Sequence, residues 1–206
     1  MSRRWRLAIL GAVLGLFAAG AIAQSTVFDR GARMSLLGSK PPPGVVAADF
    51  HLRDAVSGEP VSMRSLRGKA VVITFLESRC DEQCPVIAST IAGALRRLPA
   101  DERRDVAALA ISVNPADDTR ASVRRFLARR RALGSLRYLV GSGAALRRVW
   151  RAYGVYSAAE SGDADVHSAD VRIYDRDGVW RSTLRPGRDL GAGSLLNDVR
   201  FALAAG

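Results

Sequence analysis

A charge-free run of seven residues, Ala70-Val71-Val72-Ile73-Thr74-Phe75-Leu76, leads directly into the only two cysteines of the chain, Cys80 and Cys84. The run is too short for a free-standing helix and too uniformly apolar for a strand with one wet face. It predicts a strand buried on both sides of a mainly parallel sheet. Downstream, Ile87, Ile91, Leu95 and Leu98 recur at three- and four-residue steps, the apolar face of a helix. The cysteines therefore lie on a loop joining a central strand to a helix, at the end of the sheet where α/β proteins usually bind ligands. Pro85 suits a first helical turn and puts Cys84 close to the N-cap, where the helix end favours a thiolate. Two thiols four positions apart can close into a disulfide or chelate a soft metal ion. A buried structural pair is the plainer alternative. Against it stands the polar setting of Arg79, Asp81, Glu82 and Gln83.

The remaining chain supplies the sheet around that strand. A hairpin is expected between residues 49–54 and 60–63, turning at Ser57-Gly58, with His51 exposed or at its edge. Residues 106–113 read as a second buried strand, and residues 114–119 as a turn and capped start of a helix through Val123, Phe126 and Leu127. A strand at 136–140 precedes a helix carrying Leu146, Val149, Trp150 and Tyr153, then an acidic Gly/Ser loop at 157–165. Residues 171–175 and 179–184, joined at Asp177-Gly178, form an antiparallel hairpin. A last helix runs from about Gly193 to Ala204. The order β-α-β-α-β-α-β-β-α predicts one α/β domain: a central mixed sheet flanked by helices, with an N-terminal β-hairpin.

Basic residues at Arg3, Arg4 and Arg6 precede an uncharged apolar run at 7–23. That pattern predicts export: residues 1–23 are a signal peptide, cleaved after Ala23, or an N-terminal membrane anchor. Residues 24–43, ending in three prolines, are expected to be a stiff linker, and 44–206 the folded domain. Everything after Gln24 is then extracytoplasmic, on the periplasmic face of the inner membrane, where disulfides are permitted. The net charge of +11 is carried almost entirely by arginine, Lys40 and Lys69 being the only lysines. The arginines are scattered over helix faces without a recognition motif, so no nucleic-acid partner is expected.

If strand 171–175 runs antiparallel to strand 70–76, its start lies at the end of the sheet that carries the cysteines, and His167 can face Cys80 and Cys84. Two thiolates and an imidazole suit copper(I) best, since zinc normally takes a fourth ligand. The segments Cys80-Asp-Glu-Gln-Cys84-Pro85, Ile111-Ser-Val-Asn-Pro-Ala-Asp-Asp-Thr119, Tyr138-Leu-Val-Gly141 and Asp165-Val-His167 before Tyr174-Asp-Arg-Asp-Gly178 resemble the SCO1/SenC family over roughly residues 41–206. The resemblance implies a thioredoxin-like fold and a membrane-tethered copper protein that helps assemble the dinuclear copper centre of cytochrome c oxidase. It implies one copper ion per chain, held by Cys80, Cys84 and His167. The chain departs from the family pattern at Asn114, where Asp is usual, and at Arg120, where Pro commonly follows Thr.

Three functions use these residues. A copper chaperone passes the ion to the copper-bearing oxidase subunit and needs an extracytoplasmic thiol reductant, since a disulfide offers no thiolate. A thiol–disulfide oxidoreductase would use Cys80 and Cys84 as a redox disulfide without His167; its familiar motif has two residues between the cysteines, not three. A redox or copper sensor would switch between the same forms.

Overall fold

All seven residues of β3 (Ala70–Leu76) are buried, as their composition demands, and the sheet is built outward from them. A computed structural model describes residues 35–155 and 169–205. Residues 1–23 and His167 lie outside the described residues. Leu36–Gly206 forms one compact unit.

The sheet has seven strands in the order β2-β1-β5-β4-β3-β6-β7: β1 (Leu52–Asp54), β2 (Pro60–Val61), β3, β4 (Val106–Ser112), β5 (Arg137–Val140), β6 (Val171–Tyr174) and β7 (Trp180–Leu184). The β3, β4 and β5 strands are parallel. Antiparallel hairpins close both edges, β1-β2 beside β5 and β6-β7 beside β3. This is the mixed sheet with an N-terminal hairpin expected from the sequence. The register pairs Ile73 with Arg172 and Val72 with Ile173, so β6 begins at the end of the sheet where β3 finishes.

Side chains alternate between two cores, as the two-residue period of a strand requires. On one face Val72, Leu76, Ala110, Tyr138 and Ile173 pack under α1 (Gln83–Arg96), α3 (Arg120–Arg129) and α5 (Ala192–Ala204). On the other, Val71, Ile73, Phe75, Leu109, Ile111 and Leu139 meet α4 (Gly143–Ala152), through Leu146, Val149 and Trp150, and the hairpin residues Leu52 and Val61. Ile87, Ile91 and Leu95 fill the buried stripe of α1, and Leu98, just past its end, is buried too. The short α2 (Ala100–Arg104) has no buried residue and no apolar period, which is why the sequence pattern did not reveal it.

Residues 37–39, within the stretch assigned to the linker, are tied to this unit. Leu37 and Gly38 donate their backbone N–H groups to the Asp198 carboxylate at 2.8 and 3.0 Å. Ser39 exchanges two backbone hydrogen bonds with Thr183. A Cβ at Gly38 would stand 2.6 Å from the Thr183 carbonyl oxygen, so the approach depends on glycine.

One polar atom of the central strand has no role in this packing. Thr74 is fully buried and its Oγ1 lacks a hydrogen-bond partner. Removing an unsatisfied buried hydroxyl is favourable. Thr74→Val is therefore expected to raise stability by about 1 kcal/mol, read as a higher urea midpoint at unchanged slope.

Candidate metal centre

The loop between β3 and α1 and the first turn of α1 place Cys80 and Cys84 at the carboxyl ends of the parallel strands. The helix begins with Gln83, so Cys84 is its second residue and Pro85 its third, two positions deeper than a leading proline. The first-turn N–H groups have no helical partner, so Pro85 costs nothing there. Cys80 is half-buried on the loop, and Cys84 is fully buried beneath it. Both are thiols, and Cys84 is hydrogen-bonded to the Glu77 main chain and to the Cys80 side chain. The two side chains are therefore in contact.

The expectation that the helix end stabilises a Cys84 thiolate is overturned. Burial pushes the Cys84 thiol well above its ordinary value of 9.0; the Glu77 main-chain hydrogen bond opposes this, and Cys80 adds to the rise. Desolvation outweighs the partial charge of one helix terminus.

The loop rests on the turn that follows β4. Ser78 donates its backbone N–H to Asp118 Oδ1 at 2.8 Å, and its hydroxyl lies 3.1 Å from that of Ser122. Asp118 is buried and also accepts from Ser112 Oγ at 2.6 Å. The Tyr138 hydroxyl lies 2.8 Å from Asp118 Oδ2 and 2.7 Å from the Leu76 carbonyl oxygen, and has one proton to donate between them. Outside this post, Arg79 pairs with Asp117 at 3.2 Å. Asn114 donates to Glu77 Oε1 at 2.9 Å and to Asp117 Oδ2 at 3.1 Å. The amide thus bridges two carboxylates, where an aspartate would bring a third negative charge. Thr119 caps α3 by accepting from the Ser122 N–H, as the sequence suggested.

Cys80 and Cys84 are thus brought together, and His51 is exposed on the hairpin strand region as expected. The chain re-enters the described structure at Ala169, buried in the same core as Cys84. Among the described residues no three His, Cys, Asp or Glu side chains are grouped to hold a metal ion. Asp118, Tyr138 and Ser122 support the site, a role that no local pattern marked. Arg125 and Arg129 of α3, both exposed, line with Arg130 an open groove of about 500 Å³ that Cys80 also lines.

The SCO1/SenC family model matches residues 39–201. A protein of Stutzerimonas stutzeri named for copper binding is 29% identical over 133 residues, covering 62% of this chain and 63% of that protein. The chain thus spans less than two thirds of that curated relative. Bradyrhizobium japonicum ScoI, solved with copper bound, is 29% identical with a TM-score of 0.65, covering 77% of this chain and 100% of that one. BsSco, solved in work on a disulfide switch in the Sco family of cytochrome c oxidase assembly proteins, is 20% identical with a TM-score of 0.66, covering 80% and 96%. That likeness is one of fold, and the shared fold is thioredoxin-like.

Proposed function

The chain belongs to the SCO1/SenC family, and from that membership we propose that it is an extracytoplasmic copper chaperone for cytochrome c oxidase assembly. One copper(I) ion is held by Cys80, Cys84 and His167 and handed to the copper-bearing oxidase subunit. Residues 7–23 anchor the protein at the periplasmic face of the membrane, or leave it released if cleavage follows Ala23. An extracytoplasmic reductant keeps the thiols reduced.

The observation that carries this reading is the graded thiol pair: Cys80 half-exposed, Cys84 buried beneath it and hydrogen-bonded to it. A bound cation offsets the desolvation that otherwise keeps Cys84 protonated, so uptake releases protons and affinity rises with pH. The antiparallel β6 supports the part assigned to His167, because the chain enters that strand at the thiol end of the sheet. Copper-bound ScoI, similar over 77% of this chain, supports the choice of ion.

Thiol–disulfide exchange is a second reading, favoured by the same gradation, since an accessible thiol above a buried one suits attack followed by ring closure. A copper(I) competition titration on the reduced protein separates the two. One tightly held ion is expected, with affinity lowered at least about a hundredfold in Cys80→Ser and His167→Ala, the upper end of what loss of a mere outer-shell partner costs. Affinity indifferent to His167 would remove the chaperone reading and leave thiol exchange.

A further inference from the structure

Arg125 and Arg129 stand one turn apart on α3 and, with Arg79 and Arg130, line the groove beside Cys80. Arg79 is occupied by Asp117 at 3.2 Å. The guanidinium groups of Arg125, Arg129 and Arg130 make no ion pair or hydrogen bond among the described residues, and the Nε of Arg130 is buried without an acceptor. Among the described residues, three guanidinium groups without a partner thus line the groove together with one carboxylate without a partner, Asp81, and with Phe126.

We propose that this groove is the docking surface for an acidic, extended segment of the protein that meets Cys80; the proposal rests on Cys80 and Cys84 being the site from which copper is handed over. Residues four apart on a helix are about 6 Å apart along its axis. Alternate side chains of an extended chain are about 7 Å apart and point the same way. Acidic residues at every second position therefore match Arg125 and Arg129, and guanidinium–carboxylate pairs fix orientation as well as charge. A segment held this way lies alongside the Cys80 thiol. A bilayer surface, being flat, meets a concave arginine row less well than a single chain does.

The test is fluorescence anisotropy of a labelled peptide with glutamate at alternate positions, titrated with the reduced full-length protein. Because a strongly basic protein attracts any anion, the comparison is between charge-matched variants. Arg125→Glu with Arg129→Glu alters the groove. Arg147→Glu with Arg148→Glu makes the same change of charge on α4, on the opposite face of the sheet. The groove pair is expected to weaken binding about tenfold and the control pair less than about twofold. The Arg125→Gln, Arg129→Gln variant should fall between, without reversing charge. Equal weakening by both charge-reversed pairs would overturn the proposal in favour of net charge alone. Peptide binding that survives the groove variant while binding to phosphatidylglycerol vesicles is lost would overturn it in favour of a membrane-facing surface. The copper titration on the unsubstituted protein tests the site itself, so failure of docking and failure of the copper reading are separate results.

Discussion

Asp118→Ala is expected to remove about 3–5 kcal/mol of folding stability, a large share of the 5–15 kcal/mol typical of a domain. The residue is 4% exposed and its carboxylate receives the Ser78 N–H and the Ser112 hydroxyl, with the Tyr138 hydroxyl beside it. Hydrogen bonds to a charged group contribute about 1.5–3 kcal/mol each, and deleting the acceptor leaves buried donors unpaired. The loss also falls on the cysteine loop, because Ser78 lies two residues before Cys80. Urea denaturation should show the lowered midpoint, and alkylation of Cys80 by a neutral reagent should accelerate. Asp118→Asn retains one acceptor and should lose about half as much. A loss below about 1 kcal/mol in the alanine variant would mean that the post does not hold the loop.

Alkali is expected to unfold the reduced protein, and the sign follows from burial. Burial pushes the Tyr138 and Tyr153 hydroxyls well above the ordinary value of 10.0 and that of Tyr174 up to about 12, where Arg172 partly opposes it. A neighbouring Asp118 adds to the rise at Tyr138, and Tyr174 adds to that at Tyr153. All three are acids whose ionisation is harder in the folded chain, so above their unfolded value the unfolded state binds fewer protons. Their contribution is complete below about pH 10 and is lost as pH climbs toward their folded values. Each group costs about 1.4 kcal/mol per pH unit in that window, so the three tyrosines remove about 4 kcal/mol between about pH 9 and 11. Cys84 acts in the same direction from its lower ordinary value of 9.0. Urea midpoints across this range, followed with tyrosinate absorbance, provide the check. A midpoint unchanged through pH 11 would contradict the burial of these hydroxyls.

The central strand, the cysteine loop and the helix after it were legible in the sequence because each depends on neighbouring residues. An unbroken β-branched run, a polar break and a three-to-four-residue apolar period carry their own instructions. The antiparallel β6-β7 hairpin was legible from Asp177-Gly178, and Gly178 does adopt the left-handed φ of +77° that its turn requires. The state of Cys84 was not legible. Helix position is local, whereas burial is produced by elements far away in the chain, and burial decides the thiol's ionisation. The same holds for Asp118 and Tyr138, which meet the loop across 40 and 62 positions. The groove beside α3 was not legible, because the spacing of Arg125 and Arg129 is identical whether their face meets open water or borders a groove.

The strap at residues 37–39 has a topological consequence. Its anchor, Asp198, is fully buried and belongs to α5, the last helix, 160 positions beyond Gly38. The folded unit therefore closes on itself, its first residues clasped by its final helix. Asp198 and Ala204 are separated by six helical steps, about 9 Å. A polypeptide joined to either end leaves from the same neighbourhood, and the two ends can be linked by a short bridge and the chain reopened elsewhere, as circular permutation requires. A chain begun at Pro41 instead would strip two backbone donors from the Asp198 carboxylate and leave it to Ser182, Asn197 and entering water, so a cut at the prolines is expected to cost stability.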